Sequence, residues 1–236
     1  MLDSVALRAR LAEVRERIAR AAGRAQRDPT AIRLVAISKT FDAEHVRAAA
    51  GAGQLDFGEN KLQEALQKMD ATAELPIRWH LVGHLQSNKL RKAAERFDTI
   101  HSIDGLELAA RLDRAAAAAN RRVELLVQVD LAGEPTKHGA REDELASLFE
   151  AGSLWRAARI VGLMVLPPAV DHPEDARRYF RALRSVRDRL IARGVAESML
   201  TELSMGMSHD FEVAVEEGAT LVRVGTAIFG SRQKRQ

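Results

Sequence analysis

The 236-residue chain contains no cysteine. That absence excludes disulfides, thiolate-ligated zinc or iron–sulfur centres and a cysteine nucleophile, and it suits a reducing cytoplasm, the expected location. Long apolar runs are also missing: none approaches the roughly 18 residues that a membrane-spanning helix needs. The first residues include Asp3, Glu13 and Glu16 and no apolar core of a secretion signal, so neither export nor membrane insertion is expected. Neither sign of charge dominates: 36 basic residues face 33 acidic ones, for a formal net charge of +3. The two signs are mixed along the chain, which argues against a nucleic-acid-binding block. The one basic cluster, Arg232-Gln233-Lys234-Arg235, sits at the C-terminus and reads as a frayed tail over residues 231–236. Aromatic residues make up only 4%, with a single tyrosine, and lysine is scarce, seven against 29 arginines.

Hydrophobic residues form 46% of the chain and charged residues 29%, the balance of one globular domain over residues 1–236. Leu7, Leu11, Val14 and Ile18 recur at steps of three and four, which predicts an amphipathic helix over residues 4–22 that Gly23 stops. Short apolar runs follow, beginning with Leu34-Val35-Ala36-Ile37. Further runs start at Asp56, Trp79, Thr99, Leu125, Val161, Glu202 and Leu221, making eight strands. Helical stretches separate them, among them 44–50, 61–69, 106–118, 143–150 and 174–192. Apolar strands alternating with helices imply a parallel sheet covered by helices. Eight such units in about 200 residues predict a closed (β/α)₈ barrel with an extra N-terminal helix; a doubly wound open sheet is the alternative.

In such a barrel the functional residues follow the strands. Strand alternation puts Val35, Ile37 and Lys39 on one face, so Lys39 can point into the barrel mouth. An ammonium half-buried among apolar groups loses hydration, and its lowered pKa frees an amine for Schiff-base chemistry; the alternative is a solvated lysine at a strand end. After strands seven and eight stand Ser204-Met205-Gly206-Met207-Ser208 and Gly225-Thr226-Ala227-Ile228-Phe229-Gly230. Small residues, hydroxyls and helix-start amides at these two places suit a phosphate cradle; the alternative is ordinary turn glycines. Arg223 shares a face with Leu221 and Gly225, read as the inward one, where a guanidinium needs an acceptor; the alternative is an outward register with a salt-bridge partner on a helix. Asn60 serves either as a ligand contact or as a cap for the helix after it. His80 and His84 have a zinc-like spacing on a helix, but His80 lies in a strand, so the two stand far apart and no metal is expected.

Together these segments resemble the pyridoxal phosphate homeostasis proteins, also called alanine-racemase N-terminal-domain-like proteins. The resemblance covers nearly the whole chain. It rests on Leu34 to Thr40, Phe57-Gly58-Glu59-Asn60 with Gln63-Glu64, Trp79 to Lys89, Gly162-Leu163-Met164, Leu203 to Asp210 and Val222 to Gly230. The departures fall in loops: the family usually has Pro near Asp42, Asn near Asp130, and Ser at the position of His138. The resemblance implies a (β/α)₈ barrel in which Lys39 holds pyridoxal 5′-phosphate as an internal aldimine. It implies phosphate contacts from Ser204, Gly225 and Thr226 beside the Gly206 turn, with Arg223 at the ring nitrogen. It also implies a carrier or regulator of intracellular vitamin B6 rather than a catalyst, with pyridoxal phosphate-dependent apoenzymes as candidate recipients. The self-covered barrel points to a monomer.

Two other readings are distinguishable. A racemase needs a second base, a tyrosine from another domain, opposite the lysine; the chain ends just after its eighth strand. Its only tyrosine, Tyr179, falls in the 175–190 helix, which reads as far from any strand end; a racemase reading would need a substitute base such as His209. A class I aldolase would share the lysine and the phosphate cradle but be colourless without substrate, and would usually carry the lysine on a later strand.

Overall fold

A computed structural model of the chain describes residues 3–131 and 138–230. The predicted tail at 231–236 lies outside the described residues. Eight strands form the frame: β1 Arg33–Ile37, β2 Asp56–Glu59, β3 Arg78–Leu81, β4 Thr99–Ile103, β5 Val123–Gln128, β6 Ala158–Met164, β7 Glu202–Ser204 and β8 Leu221–Val224. They close into a barrel in chain order, every neighbour parallel, with β8 returning to β1 through Arg33↔Leu221, Val35↔Arg223 and Ala36↔Val224. The open-sheet alternative is thereby excluded.

Each strand feeds a helix. These are α2 Ala43–Gly51, α3 Leu62–Ala71, α4 Leu90–Arg96, α5 Leu106–Ala118, α6 Glu142–Gly152, α7 Arg177–Ala192, α8 Phe211–Glu216 and the single turn α9 Thr226–Phe229. The 174–192 stretch opens as a 3₁₀ turn at Pro173–Ala176 before α7 begins. The N-terminal helix α1, Ser4–Arg24, starts at Asp3, whose carboxylate accepts the Ala6 N–H at 2.9 Å. It passes through Gly23; the chain turns instead at Gln26, with φ +53°. Leu7, Leu11, Val14 and Ile18 are buried as their spacing predicts, against α2, α8 and α9. Because α9 is too short to cover β8, α1 completes the helical ring there, and Arg10 Nε donates to Ile228 O at 2.7 Å. No described helix is long and apolar enough to cross a membrane.

Burial divides into two layers. Leu34, Ala36, Phe57, Leu81 and Ile100 face outward into a large apolar layer shared with the helices. Val35, Ile37, Val82, Leu126, Val161, Met164 and Leu221 form a smaller cluster inside the barrel. The period of two read from β1 therefore has the predicted phase.

Candidate functional site

The strand ends open on a cavity of about 590 Å³, a size that suits a small cofactor. Lys39, Asn60, Arg223, Gly225 and Thr226 all line it, as do Ser208 and His209. Ile37, Val82, Leu166 and Met207 supply its apolar walls.

The Lys39 end of β1 is held from behind. Ser38 faces outward and its hydroxyl donates to Glu59 Oε1 at 2.6 Å. The buried Lys68 of α3 donates to Ser38 O at 2.7 Å, to Glu59 Oε1 at 2.6 Å and to Glu64 Oε1 at 2.8 Å. Glu64 in turn accepts the Thr40 N–H, and Thr40 sits in the left-handed region with φ +72°. Both neighbours of Lys39 are thus tied to one buried ion-pair cluster. Burial pushes the Glu59 carboxyl up against the pull of Lys68, and Glu59 Oε2 has no hydrogen-bond partner. Asn60 follows directly from Glu59 and does not cap α3, whose start has no side-chain cap; the cavity role is the one its position supports.

On the opposite wall, the Ser208 hydroxyl accepts the Gly225 N–H at 3.1 Å and the Ala227 N–H at 3.5 Å. A hydroxyl and two amides meet here beside Thr226. A Cβ on Gly225 would stand 3.1 Å from Ile37 O, so glycine lets β8 lie close to β1 at this level. Gly206 has φ +91° and shapes the turn into α8, where a Cβ would stand 2.5 Å from Ala214 Cβ; it is not a wall of the cavity.

Ser204 lies elsewhere than expected. It is fully buried below the cavity, and its hydroxyl oxygen accepts Arg223 Nη1 at 2.6 Å. The reason is the strand period: Ser204 is still inside β7, whereas Ser208 has left the strand and reaches the mouth. Arg223 faces inward as expected, with Nη2 donating to Val165 O at 2.9 Å. Burial lowers its pKa to about 10, and the charge of Asp210 works against that, so it remains cationic at neutral pH.

Behind Arg223 the polar contacts continue across the barrel. Ser204 Oγ lies 2.8 Å from His101 Nδ1, His101 Nε2 lies 3.0 Å from His80 Nδ1, and His80 Nε2 lies 3.0 Å from Asp56 Oδ1. Arg78 donates to Asp56 Oδ2 at 2.7 Å. His80 thus belongs to the barrel interior and His84 to its rim. There His84 stacks on His138, centroids 3.7 Å apart and planes 13° apart, with Asp104 Oδ2 at 3.6 Å and 3.9 Å from their Nδ1 atoms. One ligand atom from each of His84, Asp104 and His138 lies within 4.8 Å of the others, a grouping that could hold a metal ion.

Tyr179 is nearer the strand ends than the sequence suggests. It lines a small cleft with Gln128, Val129, Val165 and Leu166, because α7 folds back over β5 and β6. Its hydroxyl accepts Arg178 Nη2 at 3.2 Å, and it is not among the residues lining the main cavity.

Several functional positions escaped the sequence reading. Ser208 lay inside a quoted motif and the outward phase of Ser38 was legible, but nothing local joins Glu59 to Lys68 or His101 to Ser204.

The profile of the alanine racemase N-terminal domain matches residues 9–233. The chain belongs to that family. Within it, the pyridoxal phosphate homeostasis protein of Aquifex aeolicus is 42% identical over 224 residues, covering 95% of this chain and 97% of the relative. The protein of the same name from Pseudomonas aeruginosa is 43% identical over 222 residues, covering 94% of each. Among solved structures, PipY of Synechococcus elongatus with pyridoxal phosphate bound has 40% identity and a TM-score of 0.84, covering 95% of this chain and all of PipY. Alanine racemase of Corynebacterium glutamicum is similar in fold alone: 17% identity and a TM-score of 0.71, with 62% of that chain covered.

Proposed function

We propose that this protein binds pyridoxal 5′-phosphate through Lys39 and acts as a carrier in its intracellular homeostasis rather than as a catalyst. The observation that carries the reading is the convergence of an amine, a hydroxyl-and-amide cradle and a buried guanidinium on one cavity. The names of the relatives, and the pyridoxal phosphate bound in PipY, support the same ligand.

When bound, pyridoxal phosphate supplies an aldehyde that captures an amine and a ring that withdraws electrons from neighbouring bonds. Lys39 is the amine placed to hold that aldehyde carbon, and its backbone is clamped by Ser38, Thr40 and the Lys68 cluster. Ser208, Thr226 and the Gly225 and Ala227 amides fit a phosphate, with Ser208 in the role expected of Ser204. Arg223 is held from behind through Ser204 and Val165 and lines the cavity. A cationic donor at the ring nitrogen disfavours protonation there, which restrains carbanion chemistry and favours holding over turnover. The single tyrosine is engaged with Arg178 outside the cavity, so the phenol base of a racemase is missing among the described residues. The reading includes a monomer that hands its cofactor to apoenzymes.

The test is reduction of the cofactor-loaded protein with borohydride followed by peptide mapping. The label is expected on Lys39, and Lys39→Ala should lose it together with the yellow colour. A label on Lys61 or Lys89 with Lys39 clean would overturn the assignment. Alanine racemisation at about 10 per second, ordinary for a metabolic enzyme, would overturn the carrier reading.

A further inference from the structure

Asp56, His80, His101, Ser204 and Arg223 come from five different strands and meet end to end inside the barrel. Their hydrogen bonds admit a single accounting that uses every proton. Arg223 only donates, so Ser204 Oγ accepts from it. Burial, with the nearby charge of Arg223, holds His101 well below the ordinary histidine range, so that ring is neutral. Burial pushes the Asp56 carboxyl up, but hydrogen bonds from His80 and Arg78 outweigh it and keep it ionised at neutral pH. Asp56 is therefore acceptor-only, and His80 Nε2 carries a hydrogen toward it.

The remaining hydrogens then fall in one direction. Ser204 O–H donates to His101 Nδ1, His101 Nε2–H to His80 Nδ1, and His80 Nε2–H to Asp56 Oδ1. In the reverse arrangement two donors would meet Ser204 Oγ, and the hydroxyl hydrogen would have no partner among the described contacts. All dipoles in the forward chain point their positive ends away from Arg223, so each polarises the next and the chain adds to the favourable charge of Asp210 at the guanidinium.

We infer that Asp56, His80 and His101 are positioning residues for Arg223: a directed chain of hydrogen bonds that fixes its guanidinium and gives this buried cation a remote counter-charge. Its consequence for the ring nitrogen of pyridoxal phosphate rests on the function proposed above. The chain itself does not.

Histidine ring nitrogens of the ¹⁵N-labelled protein, observed at neutral pH without cofactor, test the direction. Both His80 and His101 are expected neutral with the hydrogen on Nε2. Finding either ring protonated on Nδ1, alone or in addition, would overturn the inference. In Asp56→Asn the second tautomer should appear, because an amide can donate as well as accept. In Ser204→Ala the tautomers should persist, because Asp56 still orders the chain. In both variants the pH midpoint of bound pyridoxal phosphate absorbance should move to lower pH, since Arg223 loses compensation. A midpoint unmoved in Ser204→Ala would make the chain a packing feature only and overturn the positioning role, whether or not Asp56→Asn folds. If borohydride fails to label Lys39 while the tautomers are as expected, the cofactor reading falls and the directed chain stands.

Discussion

Outward-facing strand residues such as Ala36, Phe57, Leu81 and Ile100 meet the helices through apolar contacts, whereas the inward faces mix a few aliphatics with Asp56, His80, His101, Ser204 and Arg223. The outer layer is held by burial that depends on volume and tolerates exchange of one aliphatic for another. The inner layer is held by directional bonds in which each group needs the next, and a single loss leaves a buried polar atom unpaired. The outer layer has polar exceptions, among them buried Glu217 with its arginines and the Lys68–Glu59 pair, which lies behind Lys39. The inner chain and the Lys68–Glu59 pair both converge on the cavity, from below and from the side.

Breaking the Lys68–Glu59 pair should have the largest effect. Lys68→Met strands a buried Glu59 carboxylate, and removing one partner of a buried pair costs about 3–5 kcal/mol. Urea unfolding should show this as a lower midpoint, and cofactor loading of Lys39 should weaken with it. A midpoint within about 1 kcal/mol of the parent would mean that the outer layer does not depend on the pair.

Next comes the contrast between two serines four residues apart. Ser208→Ala removes a cradle hydroxyl and should weaken pyridoxal phosphate binding by about 1.5–3 kcal/mol, ten- to a hundredfold, while leaving unphosphorylated pyridoxal nearly unchanged. Ser204→Ala acts through Arg223 and should weaken both forms alike. Equilibrium titration with the two ligands separates them; the opposite pattern would return the phosphate role to Ser204.

The inner layer also predicts how stability depends on pH. Buried His101 has a folded pKa below the ordinary 6.5. The unfolded chain gains a proton near that pH which the folded barrel refuses. The stabilising contribution is complete above pH 6.5 and is lost as pH falls below it, at about 1.4 kcal/mol per unit. Asp56, held low, adds a loss only at more acidic pH. His101→Gln should flatten the first part of this acid limb in urea midpoints taken at pH 5, 6 and 7. An unchanged slope would assign the proton uptake to another group. The smallest effect is expected at the periphery: Arg91→Ala, which removes an exposed i,i+4 pair with Glu95, should shift stability by about 0.5 kcal/mol or less.

Much of this was local enough to read from the chain. Eight apolar runs at regular spacing set the strands, and the period of two in β1 set the inward phase of Lys39, because alternation is a property of one strand alone. β8 set Arg223 inward by the same rule, and the helix Leu106–Ala118 has the bounds its sequence predicted, opening after Gly105. Helix α1 was legible in its buried face but not in its end, since Gly23 needed no special backbone conformation there.

What local pattern could not supply was partnership across the barrel. His101 and Ser204 are 103 residues apart in sequence, and which inward residue meets which depends on how far the strands are staggered as the sheet closes. The same stagger decided that Ser204 stays below the cavity while Ser208 reaches its mouth, and α7's path decided that Tyr179 lies by the ends of β5 and β6. Residue type and period are written along one strand, so the chain alone determined the barrel, its inward faces and the lysine. Distances between strands exist only once the barrel has closed, so the tertiary structure alone decided the clamp behind Lys39, the hydroxyl of the cradle and the chain of bonds beneath Arg223.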